Sequence, residues 1–306
     1  MQFDWKGVFP AVTTKFTAGD RLDMPLFVKN IALQLKCGVD GIVLGGTLGE
    51  ASTLTWAEKE ILVKQALSVC DGKKPVIMNI AEGATADAVK LAEAGRKWGV
   101  DGFMLLPPMR YKPDHREAVT YFKTIAAAAE LPIMLYNNPV DYKTEITFEM
   151  FHELQACTNI TAVKESTRDV TNVARMRNRF GNRFKILCGV DTLALEELLL
   201  GADGWVAGLV CACPAETVAI YRLAKAGRIN EAIDIYRWFM PLLELDIHPK
   251  LVQYIKLAET VFGVGSEYVR APRLTLTGNE RKEILQVINQ AFETRPVLPD
   301  YLSINV

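Results

Sequence analysis

Hydrophobic and polar residues along the chain form two alternating patterns. One is a short apolar run bounded by glycine, proline or aspartate, which is typical of a strand buried on both faces of a sheet. The other places apolar residues at helical spacing, as in 24–37, 56–70 and 85–99. Eight segments carry a run of the first kind: GVFPAV (7–12), CGVDGIVLGG (37–46), PVIMNIA (75–81), WGVDGFMLLPP (98–108), LPIMLYNNP (131–139), ITAVKEST (160–167), FKILCGVD (184–191) and LGADGWVAGL (200–209).

Three of these segments share one plan, a helix end followed by Gly-x-Asp-Gly and then the apolar run. The first glycine of this signature is Gly38, Gly99 or Gly201. Glycine near a helix C-terminus can adopt the left-handed conformation that ends a helix. The signature therefore predicts a repeated helix-to-strand unit.

Strands alternating with amphipathic helices predict right-handed parallel βαβ units, and eight such units favour a closed (β/α)8 barrel, the TIM barrel. A doubly wound open sheet is the alternative, but no Gly-x-Gly-x-x-Gly follows the first strand. Beyond about residue 213 the strand pattern fades and helical patterns continue to the end. We predict a barrel domain over 1–213, with its last helix extending to about 227, and a C-terminal helical appendage over 228–306.

Composition narrows the class of partner. The 306 residues are 50% hydrophobic and 23% charged, with a formal net charge of −1. Nucleic acids and anionic membranes require a concentrated basic surface, so neither is expected as a partner. The arginines between 175 and 183 alternate with apolar residues and indicate a solvated helix face.

Targeting and metal-binding patterns are missing from the sequence. The first residues, MQFDWKGVFPAV, do not resemble a signal peptide, and no window approaches the roughly 18 apolar residues that span a bilayer. The six cysteines and three histidines lack the spacing of a metal or redox motif. We expect reduced cysteines, a cytoplasmic protein and no metal.

Reactive groups of a TIM barrel lie at the C-terminal ends of its strands, and the sixth strand carries Lys164 there. A desolvated lysine with a lowered pKa can attack a carbonyl and form a Schiff base. The alternative is a lysine that extends to solvent and pairs with Glu165 or Asp191. The strand alone leaves both open.

Two neighbouring strand ends offer further chemistry. Tyr136 in LYNNP could relay protons, or it could be a core tyrosine whose hydroxyl caps a loop. The loop GGTLGE (45–50) could bind a carboxylate through backbone N–H groups and the Thr47 hydroxyl, or it could be an ordinary glycine-rich loop. Together with Lys164, these groups would face one barrel mouth and suit a 2-oxo acid substrate.

The same segments resemble the dihydrodipicolinate synthase and N-acetylneuraminate lyase family, whose members form a Schiff base with their substrate. The resemblance covers nearly the whole chain and is carried by GGTLGE, YNNP and VKEST in the family's order and spacing. It implies a lyase with Lys164 as the Schiff-base lysine and Tyr136 as the proton relay. Thr47 and the backbone N–H of Leu48 would hold the 2-oxo acid carboxylate.

The resemblance also implies an enzyme without metal or organic cofactor that assembles as a homotetramer, a dimer of dimers. Its expected catalytic residues are Lys164, Tyr136 and Thr47. The expected substrate-binding residues are Gly46, Thr47, Leu48, Arg110, Asp141, Gly189 and Ala207.

Three positions depart from the pattern of the family's lysine-biosynthesis enzymes. Leu48 replaces a second hydroxyl residue, Arg110 aligns with a second tyrosine of the relay, and Asp141 replaces an arginine that holds the aldehyde substrate's carboxylate. A carboxylate at a carboxylate contact inverts the local electrostatics. Arg110 could supply the missing cation, or it could be a surface arginine.

Three functions follow from these departures. We expect a lyase that acts on pyruvate or another 2-oxo acid by aldol cleavage or condensation, or by dehydration or deamination of a substrate such as a 4-hydroxyproline-derived pyrroline carboxylate. A true 4-hydroxy-tetrahydrodipicolinate synthase is an alternative. A non-catalytic barrel that binds a 2-oxo acid is the alternative from another class, although a binder has no need of a desolvated amine.

Overall fold

A computed structural model describes residues 3–108 and 110–306. The start of the predicted barrel domain at residue 1 and Met109 in PPMRYKP lie outside these described residues. All eight predicted strands are present and buried, each inside the segment expected for it. The strands are β1 (Gly7–Pro10), β2 (Ile42–Leu44), β3 (Val76–Ile80), β4 (Gly102–Leu105), β5 (Ile133–Asn137), β6 (Ile160–Glu165), β7 (Lys185–Cys188) and β8 (Gly204–Ala207).

The eight strands form one parallel sheet in the order β1-β8-β7-β6-β5-β4-β3-β2. The two ends of this order meet, because Ala11 and Val43 form a parallel bridge and Val12 N donates to Val43 O at 2.9 Å. The predicted (β/α)8 barrel is confirmed, and the open doubly wound sheet is wrong.

Helices follow the strands and continue beyond the barrel. The predicted helices at 24–37, 56–70 and 85–99 match the structure to within one residue. The helices are α1 (Met24–Lys36), α2 (Trp56–Cys70), α3 (Thr85–Trp98), α4 (His115–Ala129), α5 (Pro139–Tyr142), α6 (Phe148–Leu154), α7 (Thr171–Phe180), α8 (Ala194–Leu199), α9 (Pro214–Lys225), α10 (Ile229–Leu243), α11 (Leu251–Val261) and α12 (Gly278–Glu293).

The Gly-x-Asp-Gly signature builds the end of the barrel opposite the expected active site. Gly38, Gly99 and Gly201 have φ of +89°, +97° and +106°, the left-handed conformation predicted for them. Each aspartate then accepts the backbone N–H of a residue on the neighbouring strand. The pairs are Asp40 with Val8 at 2.9 Å, Asp101 with Val76 at 2.9 Å and Asp203 with Ile186 at 2.8 Å.

The C-terminal helices pack against the barrel and against one another. Helix α12 contacts both α10 and α11, and the single helical turn Glu244–Ile247 joins α10 to the segment before α11. Within the described ranges no helix has the length and hydropathy needed to cross a membrane. The division of the chain at residues 213 and 228 stays a prediction.

Candidate active site

Strand pairing brings Lys164 and Tyr136 to the same level of the barrel. The two residues are register partners on β6 and β5, so their side chains point to the same face of the sheet. The Lys164 Nζ lies 4.2 Å from the centroid of the Tyr136 ring. Both side chains line one cavity at the C-terminal ends of the strands.

Lys164 differs from the other buried lysines of the described chain, Lys15 and Lys256. Lys15 pairs with Glu259 at 2.5 Å, and Lys256 pairs with Glu50 at 2.5 Å. Lys164 has no carboxylate within 4 Å among residues 3–108 and 110–306. Buried ammonium groups that serve structure are paired, so Lys164 stands apart from the structural lysines.

The two carboxylates considered as partners for Lys164 are engaged elsewhere. Glu165 accepts the Thr167 N–H at 2.7 Å and the Asn172 side-chain amide at 2.8 Å. Asp191 accepts the Trp205 indole N–H at 2.8 Å and backbone N–H groups of the loop after β8. The arrangement therefore favours the reactive amine over a lysine held by a salt bridge.

Burial lowers the pKa of Lys164, because an ammonium group loses hydration in this cavity. The negative charge of Asp246 opposes this effect most, followed by Tyr142 and Asp191. The net lowering of the Lys164 pKa increases the fraction of neutral, nucleophilic amine at a given pH.

Gly189 provides the space through which the Lys164 side chain passes. A methyl group at this position would come within 2.6 Å of Lys164 Cγ and Cε and 2.2 Å from Ser166 Oγ. Gly189 also lines the cavity. Gly189, which was expected to bind substrate, therefore lies directly beside Lys164.

The loop GGTLGE folds tightly at the end of β2. Gly45 has φ of +65°, and a side chain on Gly49 would approach Gly45 N to 2.9 Å and Val12 O to 3.1 Å. Gly46, Thr47 and Leu48 all line the cavity of Lys164. The glycines thus let the backbone of this loop reach the barrel mouth.

Tyr142, on α5, is a site residue that the sequence patterns did not indicate. Its hydroxyl lies 2.6 Å from Thr47 Oγ1, and its ring packs edge-to-face on Tyr136 with centroids 5.4 Å apart. Burial raises the pKa of both phenols, so each keeps its proton at neutral pH. The Tyr136 hydroxyl also accepts the Asn138 side-chain amide at 3.2 Å.

Asp141 and Arg110 occupy different parts of the barrel mouth. Asp141 lines the cavity of Lys164, accepts the Asn138 amide at 2.7 Å and lies 3.8 Å from Arg168 Nη2. Arg168, rather than Arg110, is the guanidinium that lines this cavity. Arg110 lies in an adjoining cavity that shares Gly46, Thr47 and Tyr142 with the first.

The last expected substrate-binding residue, Ala207, is fully buried in β8. Its neighbours Val206 and Gly208 line the cavity instead. The C-terminal region adds residues that sequence reasoning missed, with Asp246 foremost among them. Tyr142 and Arg168 lie within a few residues of YNNP and VKEST, so their proximity to these motifs was a usable indication, whereas Asp246 had none.

The model of the dihydrodipicolinate synthetase family matches residues 4–291. The chain belongs to this family. A 4-hydroxy-tetrahydrodipicolinate synthase of Exiguobacterium sibiricum is 34% identical over 275 residues, which cover 89% of this chain and 92% of the relative.

Solved structures agree with the family assignment. Dihydrodipicolinate synthase of Aquifex aeolicus superposes with a TM-score of 0.88 at 28% identity, covering 94% of this chain and 98% of its own. The prophage protein YagE of E. coli K12, solved in complex with pyruvate, gives a TM-score of 0.88 at 25% identity, covering 94% and 99%. The chain is therefore a Schiff-base-forming lyase of this family rather than a silent binding barrel.

Proposed function

We propose that the chain captures pyruvate or a related 2-oxo acid as a Schiff base on Lys164. One observation carries this proposal: of the buried lysines in the described residues, Lys164 is the one without a carboxylate partner within 4 Å, and it lies in a cavity against Tyr136. The pyruvate complex of the related YagE protein supports a 2-oxo acid as the ligand.

The loop GGTLGE would hold the substrate's carboxylate while Lys164 attacks its keto carbon. Thr47 offers a hydroxyl and Leu48 a backbone N–H at the cavity wall. Hydrogen bonds from such neutral donors orient a carboxylate without adding a buried charge. Attack by the neutral amine and loss of water then give the iminium.

Tyr136, Tyr142 and Thr47 would move protons during these steps. The Thr47–Tyr142 hydrogen bond and the contact between the two tyrosine rings place three hydroxyl-bearing residues along one wall. Tyr142 would thus replace the relay tyrosine that the family resemblance placed at Arg110. Because both phenols stay protonated, they act as donors that are recharged along the chain of hydroxyls.

The charged lining of the cavity favours a substrate with hydroxyl or amine groups. Asp141 and Asp246 line the cavity with carboxyl groups, and Arg168 contributes one guanidinium beside Asp141. Such a wall accepts hydrogen-bond donors and discriminates against a second carboxylate. Aldol cleavage of a 2-oxo-3-deoxy sugar acid, or dehydration or deamination of a 4-hydroxyproline-derived pyrroline carboxylate, therefore suits this site.

A true 4-hydroxy-tetrahydrodipicolinate synthase is the second candidate, because the relative at 34% identity carries that name. Its aldehyde substrate would bring a carboxylate to the wall that holds Asp141, where Arg168 is the available cation. The homotetramer and the cytoplasmic location expected from the sequence remain predictions.

Turnover assays with a substrate panel test the proposal. The panel compares pyruvate plus aspartate semialdehyde with the hydroxyproline-derived imine and with 2-oxo-3-deoxy sugar acids, each also assayed with Lys164→Ala. We expect kcat/KM for the semialdehyde to be lower than for the preferred substrate by about 10-fold or more, since a like-charge contact costs more than 1.4 kcal/mol.

Two results would contradict the proposal. Efficient condensation of pyruvate with the semialdehyde would establish the second candidate in place of the first. Turnover retained by Lys164→Ala would remove the Schiff base from the mechanism.

A further inference from the structure

The loop between β6 and α7 holds Arg168 in the left-handed backbone conformation, with φ of +63°. A residue other than glycine loses free energy in this conformation, and such strain clusters at binding and active sites. Among the described non-glycine residues with φ in this region, Arg168 is the one whose side chain lines the cavity of Lys164. The strained position therefore marks Arg168 for a role in that cavity.

Hydrogen bonds on both sides of Arg168 hold the backbone of the loop. The Thr167 N–H donates to the Glu165 carboxylate at 2.7 Å, and the Asp169 N–H donates to Thr167 Oγ1 at 3.3 Å. Asp169 in turn accepts the Thr171 N–H at 3.0 Å. None of these bonds uses the side chain of Arg168, so the loop does not require an arginine for its own conformation.

The Arg168 guanidinium is free to bind a ligand. Within residues 3–108 and 110–306 its one ion-pair contact is Asp141 Oδ1, which lies 3.8 Å from Nη2, beyond hydrogen-bond distance. The two side chains are 40% and 55% exposed. Exposed pairs of this kind contribute little to stability. The pair therefore has donor and acceptor capacity that the folded chain does not use.

Asp141 is fixed in a way that leaves one carboxylate oxygen open. Its Oδ2 accepts the Asn138 side-chain amide at 2.7 Å, while Oδ1 faces Arg168. The same Asn138 amide donates to the Tyr136 hydroxyl at 3.2 Å. Asn138 thus ties Asp141 to the phenol of the site. A hydrogen-bond donor and a hydrogen-bond acceptor consequently face each other at the mouth of the cavity.

A hydroxyl group matches this pair better than a charged group does. It can accept from the guanidinium and donate to the carboxylate at the same time. A carboxylate can only accept, so it would bind Arg168 but meet the like charge of Asp141. An ammonium group can only donate, so it would bind Asp141 but meet the like charge of Arg168.

We propose that Arg168 is a specificity-determining residue that, together with Asp141, binds a hydroxyl group on the part of the substrate beyond the keto carbon. The substrate class is then a polyhydroxylated 2-oxo acid, such as a 2-oxo-3-deoxy sugar acid. This inference rests on the function proposed above, in which Lys164 captures a 2-oxo acid, and it narrows that function to one class of substrate.

Two reactions of the full chain test this role, turnover of a 2-oxo-3-deoxy sugar acid and formation of the borohydride-trapped pyruvate adduct. Pyruvate carries no hydroxyl group beyond its keto carbon, so it cannot use the Arg168 contact. In Arg168→Gly we expect kcat/KM for the sugar acid, divided by the rate of pyruvate adduct formation, to fall by about 10-fold or more. This is the effect of losing a hydrogen bond to a charged group, and it should appear mainly in KM.

Asp71→Gly is the matched control for the backbone. Asp71 ends α2 with φ of +49°, its side chain is exposed, and it lies away from the cavity of Lys164. Glycine adopts the left-handed conformation without steric cost, so neither glycine variant should unfold at a lower temperature than wild type. Asp71→Gly should keep the wild-type ratio of the two reactions.

The outcomes separate this role from the function on which it rests. An unchanged ratio in Arg168→Gly, an equal loss in Asp71→Gly, or a lower unfolding temperature of Arg168→Gly would overturn the role of Arg168. A larger loss in condensation of pyruvate with aspartate semialdehyde would assign Arg168 to a carboxylate and overturn the hydroxyl contact. If wild type forms the pyruvate adduct but does not turn over sugar acids, the substrate class is wrong. Absence of the pyruvate adduct in wild type would instead overturn the proposed function itself.

Discussion

At the scale of single residues, the site depends on space left beside Lys164. Gly189 is needed there because any side chain would collide with Ser166 and with the methylene groups of the lysine. A lysine displaced by about 1 Å loses the attack geometry, and such misplacement can cost about 10²-fold in rate. Packing beside Lys164 therefore determines where its amine lies.

Replacing Gly189 with alanine should separate activity from folding. We expect Gly189→Ala to reduce the rate of borohydride-trapped pyruvate adduct by about 10²-fold, because Lys164 must move. Gly19→Ala is the control, since a methyl group there meets nothing closer than 3.8 Å. Adduct formation at the wild-type rate in Gly189→Ala would show that Lys164 does not need its present path.

The phenol pair allows a second test at this scale. Tyr136→Phe and Tyr142→Phe should each lower kcat by about 10²-fold with little change in KM, because each removes a proton-transferring hydroxyl. The double variant should reduce kcat by less than the product of the two single fold reductions, as for groups that act as one unit.

Tyr111→Phe is the control for this pair. Tyr111 follows Arg110, the position aligned with the family's second tyrosine, and its side chain is 59% exposed. Steady-state kinetics with the preferred substrate decide the matter. If kcat falls as much in Tyr111→Phe as in Tyr142→Phe, the proposed assignment of the relay to Tyr142 is wrong.

At the scale of elements, the loop GGTLGE is held by the C-terminal region of the chain. Glu50, the last residue of GGTLGE, has φ of +53° and accepts Lys256 Nζ at 2.5 Å and the Arg270 N–H at 3.0 Å. All of its side chain is buried, and Lys256 lies on α11. The left-handed conformation of a non-glycine residue requires such support.

Removing Lys256 should therefore affect both stability and substrate binding. We expect Lys256→Met to lower the free energy of unfolding by about 3–5 kcal/mol, since it leaves Glu50 buried without its main partner. KM for pyruvate should rise as the loop loosens. Denaturant unfolding and steady-state kinetics measure the two effects.

The control for Lys256 is Lys250, whose partner Glu280 is partly exposed. Lys250→Met should change little, because exposed ion pairs contribute little to stability. Equal unfolding free energies for Lys256→Met and wild type would show that the buried pair does not hold the loop.

At the scale of the whole molecule, the sequence predicts the barrel better than the site. Strands and helices were predictable because short apolar runs, helical spacing and the Gly-x-Asp-Gly glycines are local patterns that the fold satisfies. The sequence also predicted that Lys164, Tyr136 and Thr47 would face one barrel mouth, and the structure brings all three to one cavity. Asp246 could not be predicted, because its place depends on how a turn 82 residues after Lys164 packs on the barrel.

The specificity residues illustrate the same limit. The sequence shows that Asp141 stands where the family's lysine-biosynthesis enzymes have an arginine. The proximity of Asp141 to Arg168 arises only from the folded loops. Tyr142 likewise takes part because α5 turns it toward Thr47. Side-chain direction in loops is set by tertiary contacts rather than by local pattern, and these contacts shape the cavity beside Asp141.

The most direct test of the account is the location of the covalent adduct. Wild-type protein would be incubated with pyruvate, reduced with borohydride, digested and examined by peptide mass spectrometry. The account predicts a carboxyethyl group on Lys164, none on the ion-paired Lys15 or Lys256, and no adduct in Lys164→Ala. An adduct on another lysine would contradict the central claim that Lys164 is the nucleophile. The absence of any adduct with pyruvate and with a panel of other 2-oxo acids would contradict it as well.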